Sequence, residues 1–244
     1  MVLCHTFVKN ASMQILNILL IFIPLALAPG VGIVFFIYFR DKFEKEPFRL
    51  LRNCFLFGML SIVPAIFIEI GFGKLGIDEN QNLLKTLVYA FFVVGIAEEM
   101  SKFFFLRMYA YRKKDFNEPF DGIVYAIMIS MGFATIENVM YVIMGGLSAA
   151  VLRMFTAVPL HAVCAIFMGY FVGKAKFSKH PVLMMVLGCA MAVFMHGLYD
   201  FFLFQQEMTQ LAILSFVALA AAVGISFVAI NKSEKISPFK TVAR

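Results

Sequence analysis

From Asn10 to Phe39 the chain runs for 30 residues without one charged side chain. A membrane core takes about 20 apolar residues of helix to cross, so this stretch predicts a first span. Six further apolar runs follow, at Asn53–Ile70, Leu83–Tyr109, Phe120–Met144, Ser148–Val172, Pro181–Phe204 and Met208–Ile230, with short connections. Hydrophobic residues make up 62% of the chain and charged ones 15%, against about half and a quarter in soluble domains. A disordered chain, a coiled coil and a small disulfide scaffold are excluded on those grounds. The expected fold is all-α: a polytopic transmembrane helical bundle of seven spans, or eight with a re-entrant segment. It forms one domain over 1–230, followed by a polar cytoplasmic tail over 231–244.

The first span has an alternative reading as a signal peptide, with Ala26-Leu27-Ala28 as the cleavage site. Pro29 would then sit just after the cut, and the apolar run continues through Val31–Phe39, so an uncleaved span kinked near Pro24 and Pro29 is expected. Of the 21 Lys and Arg, 16 fall in the first, third and fifth connections and the tail. By the positive-inside rule this places the N-terminus outside and the C-terminus in the cytoplasm. The net charge of +6 therefore sits beside apolar runs, where a membrane protein keeps it, and no nucleic-acid partner is expected. Cys54, Cys164 and Cys189 lie inside apolar runs without CxxC spacing and read as small packing residues.

Ionisable side chains at bilayer depth cost several kcal/mol, about 2.5–3.5 each on insertion scales, so they need partners or a water-filled cavity. This chain has a set of them: Glu98, Glu99 and Lys102 in the third span, Glu137 with Asn138 in the fourth, His161 in the fifth, and His196 with Asp200 in the sixth. From the helical rise, Glu98 and His161 fall near mid-span, with Glu137 and His196 roughly 5–8 Å outward, so the four can share one layer. Glu98 and Lys102 stand at i,i+4, as do His196 and Asp200, hence on common helix faces. Adjacent Glu98 and Glu99 point about 100° apart, so one is expected to face the centre and the other to brace a neighbouring helix. A single intramembrane His or Asn is most often a structural tie between helices; two His and three Glu at similar depth on four helices point to chemistry. Arg153 and Lys85 read as snorkelling residues without a role, and Asp121 as a helix cap.

Carboxylate and imidazole together can activate a water as general base and return its proton to a leaving group. The same groups, His161 and His196 with Glu98 or Glu137, could instead hold Zn²⁺ with an open water position. No HExxH decides between the two, and no phosphate-binding loop or serine-nucleophile motif is present.

Four motifs carry a resemblance. Glu98-Glu99-Met100-Ser101-Lys102 has the form EExxK and Phe133 to Asn138 the form FxxxEN. His161 precedes Gly169-Tyr170-Phe171, and His196 to Asp200 reads HGxxD. In this order on successive helices, and with Glu44-Lys45-Glu46-Pro47 ahead of them, they resemble the PrsW family of bacterial intramembrane proteases. The likeness runs from about Phe35 to Phe201. It implies a peptidase of the bacterial cell (inner) membrane in the clan of CAAX prenyl proteases and bacteriocin-immunity proteins. Its substrate would be a single-pass membrane protein, such as an anti-sigma factor cut at site 1 in envelope stress signalling. By resemblance Glu98, Glu99, His161 and His196 form the catalytic set and Glu137 is a further acidic member. Asn138 and Asp200 would orient groups or donate hydrogen bonds. The prenyl-protease relatives carry an Arg one residue beyond Lys102 and a His where Glu137 stands, so their role assignments do not transfer to Glu137. Lys102 beside the carboxylates would repel a divalent cation, which tilts the expectation toward a metal-free route with Zn²⁺ still open.

The reading is an intramembrane peptidase in which Glu98 activates water, a His carries the proton, and Asn138 or the second His steadies the oxyanion. The rivals are a proton- or cation-coupled transporter, for which the sequence lacks inverted repeats, and a non-catalytic membrane scaffold.

Overall fold

A computed structural model of the chain describes residues 20–21, 23–77, 82–205 and 209–241. The start of the expected first span, residues 10–19, lies outside them. Among the described residues every regular element is helical: α1 Ile23–Arg40, α2 Phe48–Lys74, α3 Leu83–Val88, a π-helical stretch Tyr89–Gly95, α4 Ile96–Met108, α5 Pro119–Phe155, α6 Ala157–Lys176, α7 Pro181–Leu203 and α8 Ala212–Lys235. With no water at bilayer depth to accept their backbone groups, apolar runs of this length must bond internally, which only a helix does within one segment.

Among the described residues five helical units are long and apolar enough to cross a membrane: Ile23–Arg40, Phe48–Lys74, Pro119–Lys176, Pro181–Leu203 and Ala212–Lys235. Two features separate this from the expected seven spans. The run after Asn82 is divided into α3, the π-helical stretch and α4, none of them long enough alone. The expected fourth and fifth spans join into one unit of 58 residues. Within that unit Gly146 takes φ +64°, ψ −150°, a backbone conformation open to glycine at no steric cost, and it redirects the last turns of α5. Thr156 then separates α5 from α6 with φ −126°, ψ −81°. His161 consequently lies in the second turn of α6, not near the middle of a span from Ser148 to Val172. Pro29 lies within α1, which continues through it to Arg40.

α5 occupies the centre of the bundle, with almost every residue from Pro119 to Thr135 buried. α6 packs along it, and the contact is backbone against backbone. A Cβ on Gly122 would overlap the carbonyl oxygen of Gly169 and the main chain of Gly173, and one on Gly132 would overlap the carbonyl of Phe55 on α2. Small residues let membrane helices approach this closely. Gly122→Val is therefore expected to overpack the α5–α6 contact, at a cost of about 1–3 kcal/mol or more. A fall in the detergent-solubilised protein's unfolding midpoint, followed by circular dichroism, is the check, and an unchanged midpoint would contradict the contact. α1 and α8 lie outermost, with Phe35, Phe39, Phe216 and Val217 exposed as a lipid-facing surface would have them.

The basic segments meet at one end. Arg40 pairs with Glu234 at 2.5 Å, and the Lys176 ammonium donates to the carbonyl of Tyr111 at 2.5 Å. The polar stretch after Ile230 is thus helical as far as Lys235 and docked onto α1. Asp121 caps α5 as expected, its Oδ2 accepting from the backbone N–H groups of Asn117 and Glu118 at 2.7 and 2.8 Å. Beside it the connection between α1 and α2 buries Asp41 and Glu46. Burial, reinforced by Glu118, pushes the Asp41 carboxyl up to about 7. Burial and the neighbouring Asp121 also push Glu46 above the usual carboxylate range.

Candidate functional site

The π-helical stretch ends at Gly95, one turn before the polar residues of α4, and such stretches recur at functional sites. From α4 the Lys102 ammonium donates to Glu98 Oε2 at 3.0 Å and Glu99 Oε1 at 2.8 Å. It also lies 3.0 Å from Nδ1 of His161 on α6 and 4.1 Å from the centroid of the Phe133 ring on α5. Glu99 and Lys102 are among the most buried residues of the chain, at 0% and 2% exposure. An ammonium at that depth is held by its carboxylates, and neither carboxylate could stand there without it.

His161 and His196 face each other edge to face, their ring centroids 5.4 Å apart. Their surroundings fix different proton placements. Lys102 can only donate, so Nδ1 of His161 accepts and its proton resides on Nε2, 2.7 Å from Glu137 Oε2. That is a neutral ring with one available orientation. Nδ1 of His196 lies 2.8 Å from Glu99 Oε1 and its Nε2 3.3 Å from Asp200 Oδ2. Acceptors at both nitrogens call for a proton on each, which makes this ring the proton donor of the pair. Glu98 Oε2 stands between the two rings, 3.9 Å from His161 Nδ1 and 3.8 Å from His196 Nε2.

The structure thus brings Glu98, Glu99, Lys102, His161, His196, Asp200 and Glu137 together, and it corrects four expectations. Both glutamates of the Glu98-Glu99 pair enter the cluster, because Lys102 stands at i+4 from one and i+3 from the other and gathers both. Glu137 leaves the expected ligand set and instead holds His161 from its far side. Asn138 is not aimed at the reacting centre: its Nδ2 donates to the carbonyl of Ala26 at 3.1 Å and its Oδ1 accepts from Arg153 Nε at 2.6 Å. Arg153 does not snorkel. The turn at Gly146 folds it back, so that its guanidinium pairs with Glu137 at 2.9 Å and covers the Tyr141 ring.

Sequence reasoning passed over one acidic residue. Glu69 on α2 is half-buried and lies within electrostatic range of Glu98, Glu137, His196 and Asp200. Its signal was available, since it is the one acidic residue in the second apolar run.

One ligand atom from each of Glu98, Glu99, His161 and His196 lies within 4.8 Å of the others. Two imidazoles and two carboxylates are donors that suit Zn²⁺, and Oε2 of Glu99 is buried with no hydrogen-bond partner, an acceptor left for a ligand. These residues fit a metal in number and kind. The Lys102 charge, bonded to three of the four, is what a cation would have to compete with.

Residues 46–228 match the pattern of the family described as PrsW family intramembrane metalloprotease. Among characterised proteins the chain is 34% identical over 186 residues to Protease PrsW of Geobacillus kaustophilus, covering 76% of this chain and 80% of the relative. It is 33% identical to Protease PrsW of Bacillus subtilis, covering 74% and 82%, and 33% identical to that of Clostridioides difficile, covering 73% and 77%. No solved structure matches it.

Proposed function

Because the chain belongs to the PrsW family of intramembrane metalloproteases and is thus a membrane-embedded protease of a bacterial membrane, we propose that it hydrolyses one peptide bond of a single-pass membrane protein at the Glu98–His161–His196 cluster. The observation that carries the reading is the convergence of Glu98 and Glu99 from α4, His161 from α6 and His196 from α7. Glu98 takes the proton of a water as its oxygen attacks the carbonyl carbon of the bond. His196, protonated on both nitrogens and braced by Asp200 and Glu99, gives its proton to the leaving nitrogen. The C–N bond breaks, leaving a carboxylate and an amine. Lys102 and the His196 cation face the developing oxyanion with the charge it needs. A Zn²⁺ held by Glu98, Glu99, His161 and His196 would supply Lewis-acid activation of the water.

The proposed topology has seven spans, the N-terminus outside and the basic end in the cytoplasm. The meeting of Arg40, Arg107, Lys113, Lys176 and Lys235 at or near that end supports it. The proposed substrate is a membrane-anchored anti-sigma factor, cut at site 1 during envelope stress.

The test compares protein N-termini in membranes from cells carrying the wild-type chain or Glu98→Gln at matched expression. A new terminus seen only with wild type identifies the substrate and places the cut. Identical termini under every envelope stress applied would sink the reading and send the protein to a flux assay. Arg153 adds a prediction of its own as a positioning residue. Arg153→Met frees Glu137 to turn from His161 and lowers the cleavage rate about tenfold or more, and Arg153→Lys recovers part of it; equal rates in all three proteins would show that Glu137 is held otherwise.

A further inference from the structure

Between α4 and α7 the outside of the bundle carries a groove of about 730 Å³. Ile96, Met100 and Phe103 of α4 form one wall, and Val182, Met185 and Val193 of α7 the other. Met100 and Val182 are exposed, so the groove opens toward lipid. Its deep end is closed where a Cβ on Gly95, just ahead of α4, would lie 3.3 Å from the carbonyl oxygen of Val193. At its other end stand Arg107 and Tyr111.

The length of the groove is that of one leaflet. Ile96 and Arg107 are 11 positions apart on α4, about 16 Å along the helix, and half of a bilayer core is about 15 Å. Arg107 is the one charged residue among those lining it. Its guanidinium lies 4.7 Å from the centroid of the Tyr111 ring, and the Lys176 ammonium lies 4.9 Å from the same centroid. One ring thus gathers two cations at the headgroup end. Lys176 donates to the carbonyls of Tyr111 and Lys113. Among the described residues the arginines paired with carboxylates are Arg40 and Arg153, and Arg107 has no such partner.

An apolar channel one leaflet deep, ending in uncompensated positive charge, complements a lipid with an anionic head. The planar guanidinium fork matches phosphate oxygens, and basic pockets between transmembrane helices recognise anionic headgroups. A transmembrane helix complements it less well. It needs the whole core, about twice this length, and by the positive-inside rule its flank on this side carries Lys and Arg, which Arg107 and Lys176 would repel.

We propose that the α4–α7 groove holds one anionic glycerophospholipid, an acyl chain lying along the groove and the phosphate on Arg107 with Lys176 beside it. The site is separate from the catalytic cluster. Because α4 and α7 carry Glu98 and His196 on their buried faces, the lipid would brace that pair of helices from outside.

The chain has no Trp, so a single introduced Trp reports locally. Full-length Phe103→Trp, in the groove, and Val228→Trp, exposed on α8, are reconstituted in bilayers mixing phosphatidylglycerol and phosphatidylcholine, one of the two carrying brominated, quenching acyl chains. At Phe103→Trp, brominated phosphatidylglycerol is expected to quench at a mole fraction about fivefold or more below that needed for brominated phosphatidylcholine. Val228→Trp reports bulk lipid and shows a smaller preference. Adding Arg107→Gln to the Phe103→Trp protein removes most of the preference, and Arg107→Lys keeps part of it. Should Arg107→Gln fail to fold, salt decides, since the preference declines as NaCl is raised to about 1 M. A preference no larger at Phe103→Trp than at Val228→Trp, or one indifferent to both Arg107→Gln and salt, overturns the proposal. So does a Phe103→Trp protein that neither lipid quenches, the result expected of a groove filled by a protein helix.

Discussion

Glu98→Gln is expected to lower the rate of substrate cleavage by about 10²–10⁴-fold, the range lost with a general base. The substitution keeps the size and most of the polarity of the side chain, so packing around α4 is retained. Lys102 still pairs with Glu99 at 2.8 Å, which keeps the buried ammonium neutralised. What disappears is the one carboxylate placed between both imidazoles, at 3.8 and 3.9 Å. The measurement is the initial rate in liposomes containing enzyme and a single-pass substrate, with the unfolding midpoint as control. A rate within a few fold of wild type, at unchanged stability, would move the base to another residue. Glu99 would be next, through the oxygen that has no partner.

Lys102→Met should have the largest effect on stability. It leaves Glu98 and Glu99 adjacent in a low-dielectric interior without their shared cation, and breaking a buried ion pair from one side costs about 3–5 kcal/mol. For a chain of this size that corresponds to a fall of roughly 10 °C in the unfolding midpoint. The same variant separates the two chemistries open to the site. With the ammonium gone, Glu98, Glu99, His161 and His196 can hold Zn²⁺ without competition, so added Zn²⁺ should return much of the lost stability if the cluster is a metal centre. A midpoint indifferent to Zn²⁺ would speak for carboxylate and imidazole acting on water unaided. A midpoint equal to wild type without metal would contradict the ion-pair geometry itself.

The helical character and the polar set were legible in the sequence because both depend on local features. Long uncharged runs declare helices, and an ionisable residue inside one stands out wherever the chain later takes it. The i,i+4 spacing of Glu98 with Lys102 and of His196 with Asp200 survived folding as contacts at 3.0 and 3.3 Å. What could not be read was direction. One left-handed glycine, Gly146, turns the end of α5 and carries Arg153 onto Glu137, a result no count along a regular helix would give. The angle of about 100° between neighbouring residues was sound for Glu98 and Glu99, yet two long side chains reaching for one ammonium closed the gap. Asp41 and Asp121 are 80 positions apart, and only the packing of the α1–α2 connection against α5 brings them into one group.

The glycine contacts of α5 have a mechanical corollary. Main chain rests on main chain where α5 meets α6 at Gly122 and α2 at Gly132, leaving no deformable layer to take up sliding. Those three helices form a fixed wall. A Cβ on Gly197 of α7 would overlap both the ring and the Cα of Phe91 in the π-helical stretch, and one on Gly95 would press on the carbonyl of Val193, so α7 is seated against that stretch by main chain as well.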